Sequence, residues 1–404
     1  MSDFTKITLN DFIETLTDYH ANGSYKVLKS NVILKKSPDY AIMIRTLNFE
    51  RPDFKNDLIY LNEQEYNYLK KTKVYPNDIL MNKIANPGSV YLMPDLDKPV
   101  SLAMNLFLIR FNDDVNQQFM YYLMRHNEKY IKQFANGTTT LTITKDSVRN
   151  LKFKVPQKYV QDKIAKVLSN IEHKIELNNK INAELEAMAK LIYDYWFVQF
   201  DFPDANGKPY KSSGGKMVYN KELKCEIPDS WAIKPLESSG EFKNGKGIKK
   251  TEFSESGTYE VYGANGIIGK TNLSLFSKPV IVIGRVGVNY GEVHYSLKPC
   301  WVSDNAVTAQ PVNGEWYWWL LLILKGVNYN SIAGGSAQPL ITQGKLKSLI
   351  FAIPSTALMS EFYKKINPLF LKIQNTKEQN EELVELRDWL LPMLMNGQVT
   401  VQDT

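Results

Sequence analysis

The stretch from Tyr159 to Trp196, 38 residues without Gly or Pro, constrains this chain more than any other. Ile164, Leu168, Ile171, Ile175, Asn178, Asn182, Leu185, Ala189, Ile192 and Trp196 follow one another in alternating steps of four and three. That is the 3.5-residue period of a coiled-coil seam, and it predicts an unbroken helix of roughly 57 Å at about 1.5 Å per residue. The period returns 198 residues later at Phe362, Ile366, Leu369, Ile373, Thr376, Asn380, Leu383, Arg387, Leu390 and Leu394. Both seams are polar at the centre. An antiparallel pair would bring Asn178 and Asn182 to the level of Thr376 and Asn380 and fix the register, at some cost in stability.

The repeat extends upstream at the same offset. ANGTTTLTITKDSVRNLKFKVP (Ala135 to Pro156) aligns with AGGSAQPLITQGKLKSLIFAIP (Ala333 to Pro354), and FMYYLM faces YWWLLL. At an offset of 202, DILMNKIANPGSVY, from Asp78, resembles PVIVIGRVGVNYGEV, from Pro279. Such a period is far longer than the 20 to 50 residues, roughly, of a solenoid, so it reads as a duplicated domain plus helix. The expected boundaries are a first domain over 1–157, a helix over 158–200, a linker over 201–230, a second domain over 231–354 and a helix over 355–404.

Composition sets the class. With 44% apolar and 23% charged residues the chain can bury true cores. A net charge of +6, from 49 Lys and Arg against 43 Asp and Glu, permits a nucleic-acid partner without announcing one, so charge placement must decide. Cys225 and Cys300 are too few for a disulfide framework or a zinc cluster, and the four histidines are scattered. The N-terminus lacks a basic-then-apolar signal pattern and no segment has the apolar length of a membrane span, so a cytoplasmic protein is expected. WYWWLLLIL, from Trp316, reads as a buried helix.

Mixed α/β is the expected domain class. In the first domain an amphipathic helix is expected around Leu9 to His20, followed by a strand in AIMIRTLNF that delivers Arg45 and Thr46 at its exit. A strand over Ile79 to Met81 delivers Asn82 and Lys83, and SLAMNLFLIRF reads as one buried strand. Phe119 to Phe134 reads as a helix. In the second domain the loop EFKNGKGIKK carries Lys243, Lys246, Lys249 and Lys250 around two glycines, which is either a phosphate-contacting loop or a solvated one. YEVYGANGIIGKTN is expected to place Tyr262, Asn265 and Lys270 at a turn, and IVIGRVG puts Arg285 where the first domain has Lys83. Arg285 is then a DNA contact or a structural ion pair. The loops holding Thr138 and Thr139, and Ser336 and Gln338, occupy one position in both repeats. Their hydroxyl and amide groups suit phosphates and base edges, or simply cap a turn.

Catalytic patterns are lacking. Asn86-Pro87-Gly88 and Asn367-Pro368-Leu369 are poor versions of an amino-methyltransferase motif, there is no phosphate loop of the GxxxxGK[ST] type, and Asp95 and Asp97 lack a second acidic partner.

The order of parts, the helix VPQKYVQDKIAKVLSNIEHKIELNNKINAELEAMAKLIYDYWF, the restart CEIPDSW and the closing KIQNTKEQNEELVELRDWLLPMLMNGQV together resemble the specificity subunit of type I restriction-modification systems, over nearly the whole chain. The resemblance implies two duplicated mixed α/β target-recognition domains joined by two long antiparallel coiled-coil helices with pseudo-twofold symmetry. It implies a non-catalytic, DNA-binding chain in which each domain reads half of a bipartite target. The helices would set the spacer and dock two methyltransferase subunits, and motor-nuclease subunits would then join. The assembled complex would be a site-specific deoxyribonuclease and adenine DNA methyltransferase, with S-adenosylmethionine, ATP and Mg on the partner subunits. A stand-alone DNA-binding regulator and a protein-binding adaptor are the alternatives.

Overall fold

The computed structural model describes residues 4–334 and 339–401. The chain divides into two compact units, one of Met1–Leu177 with Gln379–Thr404 and the other of Asn178–Glu378. Each unit is a mixed α/β body, and each takes a share of both long helices, Lys158–Tyr193 and Thr356–Met395.

Strand topology shows the duplication directly. In the first unit an antiparallel sheet runs Ile13–Asp18, Leu106–Phe111, Ile79–Asn82, Val90–Leu92; in the second the order is Gly240–Asn244, Ala306–Pro311, Val280–Gly284, Val293–Ser296. A second sheet in each unit contains one parallel pair, Ala41–Ile44 with Val100–Leu102 and Tyr259–Gly263 with Cys300–Val302. A third ribbon pairs Thr5–Thr8 with Lys152–Val155, and Ala232–Pro235 with Ile350–Ile353. The pairing fixes which residues correspond. Met81 opposes Phe107 as Ile283 opposes Val307, and the Ala103 N–H donates to Ile44 O as the Ser303 N–H donates to Tyr262 O.

Each core is closed by a helix on the sheet and by the long helices. In the first unit Gln117–His126 buries Phe119, Met120 and Tyr122 in one cluster with Ile164, Leu168, Leu394 and Met395. In the second, Tyr317–Gly326 is the buried helix that WYWWLLLIL promised, with Trp318 stacked on Phe370 at 4.0 Å between ring centres. Within each unit the two helix segments run antiparallel. Glu172 faces Arg387 at 3.8 Å in the first unit; in the second, Trp196 lies against Phe362 while Asn182 pairs with Thr376. Apolar residues flank that polar layer, because Ala189, Phe362, Ile366 and Ile373 are all buried.

Four local expectations change. Residues 9–20 form a short turn, Leu9–Asp11, and then the strand Ile13–Asp18, because the β-branched Ile13, Thr15 and Thr17 pair with Leu106–Phe111 and tertiary pairing overrides the helical stripe. SLAMNLFLIRF splits at residues 103–105 into Val100–Leu102 and Leu106–Phe111, which belong to different sheets. The helix expected over Phe119 to Phe134 breaks at Asn127 into Gln117–His126 and Glu128–Lys132. The Gly/Ser/Lys-rich segment before Trp231 holds a hairpin, Met217–Asn220 with Cys225–Pro228, and Phe202 stacks on both Tyr210 and Trp231.

Candidate nucleic-acid interface

Three backbone pieces meet at one edge of each unit. In the first unit they are the exit of Ala41–Ile44, the end of Ile79–Asn82, and the loop closed by the paired amides and carbonyls of Asn136 and Thr142. Lys83 joins the strand end to the residues after that loop and to the 103–105 turn: its N–H donates to Asn105 O and its carbonyl accepts from Ile143 N–H. The second unit repeats this bond for bond. Arg285 N–H donates to Asn305 O, its carbonyl accepts from Ile341 N–H, and Gly334 and Leu340 close the equivalent loop. Thr46 Oγ1 donates to Asn82 Oδ1 at 3.1 Å, and at the matching place the turn carbonyl of Ala264 comes so close to Gly284 that a Cβ there would lie 2.3 Å from it. Candidates that lie far apart in sequence therefore share one edge: Arg45, Thr46, Asn82, Lys83, Thr138 and Thr139 in the first unit, Asn265 and Arg285 in the second. Ser336 and Gln338 lie outside the described residues.

The second unit adds the lysine loop. Lys246, Lys249 and Lys250 are exposed, and the loop is pinned by Trp301 Nε1, which donates to Lys246 O at 2.8 Å. Gly245 is required at its start, since a Cβ would lie 2.1 Å from Ser303 O. Gly247 approaches Asp304, whose carbonyl accepts from Arg285 Nη1 at 3.3 Å, so the loop reaches the shared edge. Lys243 instead stands on the strand Gly240–Asn244, paired with Glu241 at 2.6 Å. The turn expected to carry Tyr262, Asn265 and Lys270 carries only Asn265 at its tip. Tyr262 is buried and donates to Glu260 at 2.7 Å, and Lys270 opposes Glu260 farther down the hairpin, because Gly263 and Gly266 close the turn too tightly to include them.

In the first unit two candidates are turned inward. Asn82 is 2% exposed and holds Thr46, so it positions the edge from below. Lys83 donates to Asp18 Oδ2 at 2.8 Å, while Lys145 reaches Asp18 Oδ1 at 2.9 Å. Arg45 bonds the Asp57 carbonyl and lies 3.6 Å from its carboxylate. Sequence reading missed Asp18 and Lys145, which are separated by 127 positions and carry no local motif. Burial by itself would raise the Asp18 carboxyl, but the hydrogen bonds and charges of Lys83 and Lys145 hold it below the usual carboxylate range. A depressed folded value means stability that is present above the unfolded value of about 3.9 and is lost as pH falls through the folded value. Asp18→Asn is therefore expected to cost roughly 2 kcal/mol near neutrality, since it leaves two lysines around a neutral group, with the gap to wild type closing below about pH 4. Thermal unfolding against pH checks this; a constant gap down to acid would show that the carboxylate charge is irrelevant.

Three helix-register candidates, Asn178, Asn182 and Thr376, are buried, and Asn380 is half-buried; Thr376 Oγ1 donates to Asn182 Oδ1. Among the described residues no group of His, Cys, Asp and Glu is arranged to hold a metal ion, and no helix is long and apolar enough to cross a membrane.

Comparison with known proteins names this architecture. The family model described as "Type I restriction modification DNA specificity domain" matches residues 1–187 and again 228–385. The "Type I restriction enzyme MjaIX specificity subunit" of Methanocaldococcus jannaschii is 24% identical over 380 residues, covering 86% of this chain and 85% of that protein. The "Type I restriction enzyme HindI specificity subunit" of Haemophilus influenzae is 24% identical over 412 residues, covering 81% and 88%. The crystal structure of a type I restriction-modification system S subunit from M. genitalium shares the fold, with a TM-score of 0.63 at 19% identity over 100% of this chain and 97% of that one. With two matches of the family model that together span most of its length, the chain belongs to the family of type I restriction-modification DNA specificity proteins.

Proposed function

We propose that each unit of this specificity subunit reads one half of a bipartite DNA target through its repeated edge. The observation that carries this reading is the bond-for-bond recurrence of the Lys83 edge at Arg285, with the exposed Thr138 and Thr139 beside the first and the exposed lysine loop beside the second. In the second unit Lys246, Lys249, Lys250, Asn265 and Arg285 are the proposed contacts, flanked by Lys243 and Lys270. In the first they are Arg45, Thr46, Thr138 and Thr139, supported by Asn82. Ser336 and Gln338 complete the second set by their place in the repeat. Phosphate contacts from the lysines would position the duplex, and hydroxyl, amide and guanidinium groups would read base edges.

The helices are proposed to set the distance between half-sites and to dock two methyltransferase subunits, which motor-nuclease subunits then join. Polar seam residues fix their register, with Asn182 against Thr376. Chemistry resides on the partners, which would bring S-adenosylmethionine, ATP and Mg. This chain supplies orientation: it holds the duplex so that one base in each half-site faces a partner.

Methylome sequencing of cells that carry this chain with its methyltransferase partner tests the reading. A motif of two short sequences separated by an unspecified gap is expected, and exchanging residues 231–354 for those of a relative should change only one of them. A contiguous motif, or changes in both halves on the exchange, would overturn the division of labour.

A further inference from the structure

Lys83 and Arg285 occupy equivalent backbone positions, but their surroundings differ in charge. Asp18 ends the strand Ile13–Asp18 opposite Phe107; at the matching place Asn244 ends Gly240–Asn244 opposite Val307. Lys145 begins the short helix capped by Thr144; at the matching place Gln343 follows the cap Thr342. The cluster Asp18, Lys83, Lys145 is thus replaced by Asn244, Arg285, Gln343. In the first unit the Lys83 ammonium is paired with Asp18 inside the unit, and its side chain is only 12% exposed. In the second, among the described residues no carboxylate pairs with Arg285. Its Nη1 donates to a backbone carbonyl, and its Nε is buried without a partner.

We propose that the two cations have parted roles: Arg285 offers its guanidinium to an acceptor pair on DNA, whereas Lys83 is a strut held inside its own unit. The inference rests on the reading that both edges face DNA, and it assigns the contact to one of two matched positions. For Lys83 to reach a phosphate it must leave a shielded carboxylate, which then keeps Lys145 as its one lysine partner. The exchange gains little, because one charge-assisted bond replaces another. Among the described residues Arg285 has no ion pair to break, only the 3.3 Å bond to the Asp304 carbonyl. Its fork fits two phosphate oxygens or the O6 and N7 of guanine.

The test is binding of the complex with its methyltransferase partner to a duplex bearing the mapped motif, measured against salt, with unfolding followed in parallel. Arg285→Ala should weaken binding roughly 5- to 150-fold, the range expected when a bidentate pair is removed. A loss confined to one base pair of one half-site identifies a base edge; a loss on every sequence, with a salt slope lower by about 0.9, identifies a phosphate. Lys83→Met should keep wild-type affinity and slope and lower the unfolding temperature. If Arg285→Ala does not fold, Arg285→Met retains the buried stem and gives the same readings. Folded Arg285 variants with wild-type affinity, slope and motif would overturn the proposal, as would Lys83→Met losing as much affinity as Arg285→Ala. A wild-type complex without preference for its motif would instead sink the functional reading.

Discussion

Replacing Lys246, Lys249 and Lys250 together with alanine should flatten the salt dependence of DNA binding by up to ~2.7 in the slope of log affinity against log salt, about 0.9 for each phosphate that is no longer neutralised. Between about 50 and about 200 mM salt the wild-type chain would then lose up to ~40-fold more affinity than the variant. The effect belongs to binding and not to folding, because all three side chains are exposed and the loop is anchored by backbone groups. Lys246 O accepts from Trp301 Nε1, and Lys249 N–H donates to Glu252 Oε2 at 2.8 Å, and alanine preserves both. Surface substitutions of this kind change stability by no more than about 0.5 kcal/mol. The half-site read by the first unit should stay as it was. Titrations at several salt concentrations decide the matter: an unaltered slope in a folded variant removes the loop from the interface.

Lengthening both helices by seven residues is expected to widen the gap between the two half-sites by at most ~3 base pairs, because a heptad adds about 10 Å of helix and B-DNA rises about 3.4 Å per base pair. Seven residues preserve the seam phase. Where they go matters. Asn182 pairs with Thr376, which sets Leu185 and Ile373 at nearly one level in the antiparallel pair. Insertions after Leu185 and after Lys372 therefore keep the polar pair together, whereas an insertion after Leu383, which the seam period alone would equally permit, slides Asn182 a heptad away from Thr376. Methylation mapping of the matched double insertion should return both half-sites intact with a longer gap. A folded, active complex with the original gap would mean that the helices do not set the spacing.

The seams, the duplication and the buried aromatic helix were legible because they are written locally. A 3.5-residue period depends only on neighbours along one helix, and a domain duplicated in one chain leaves the same pattern at nearly the same offset. The matched positions of the two loops that begin near Gly137 and Gly335 followed from the offset of 198, and those of Lys83 and Arg285 from an offset of 202. The family resemblance rested on the same helices, which the strand register of each unit then joined to a shared topology.

What the sequence could not determine depends on groups brought together across long stretches of chain. Residues 9–20 carry a helical stripe, yet Ile13–Asp18 is a strand because Leu106–Phe111 offers a ladder that outweighs local preference. Lys270 and Asn265 stand in one glycine-rich hairpin, but only the pairing of Gly263 with Gly266 decides which of them reaches the tip. Lys83 reads as a free cation until Asp18 and Lys145, from two other elements, close around it. By itself the sequence determined the architecture, since periodicity and repetition are properties of the chain taken in order. Only the tertiary structure decided which cations remain open to a ligand, since an ion pair forms wherever the fold places opposite charges within reach, whatever their separation in sequence.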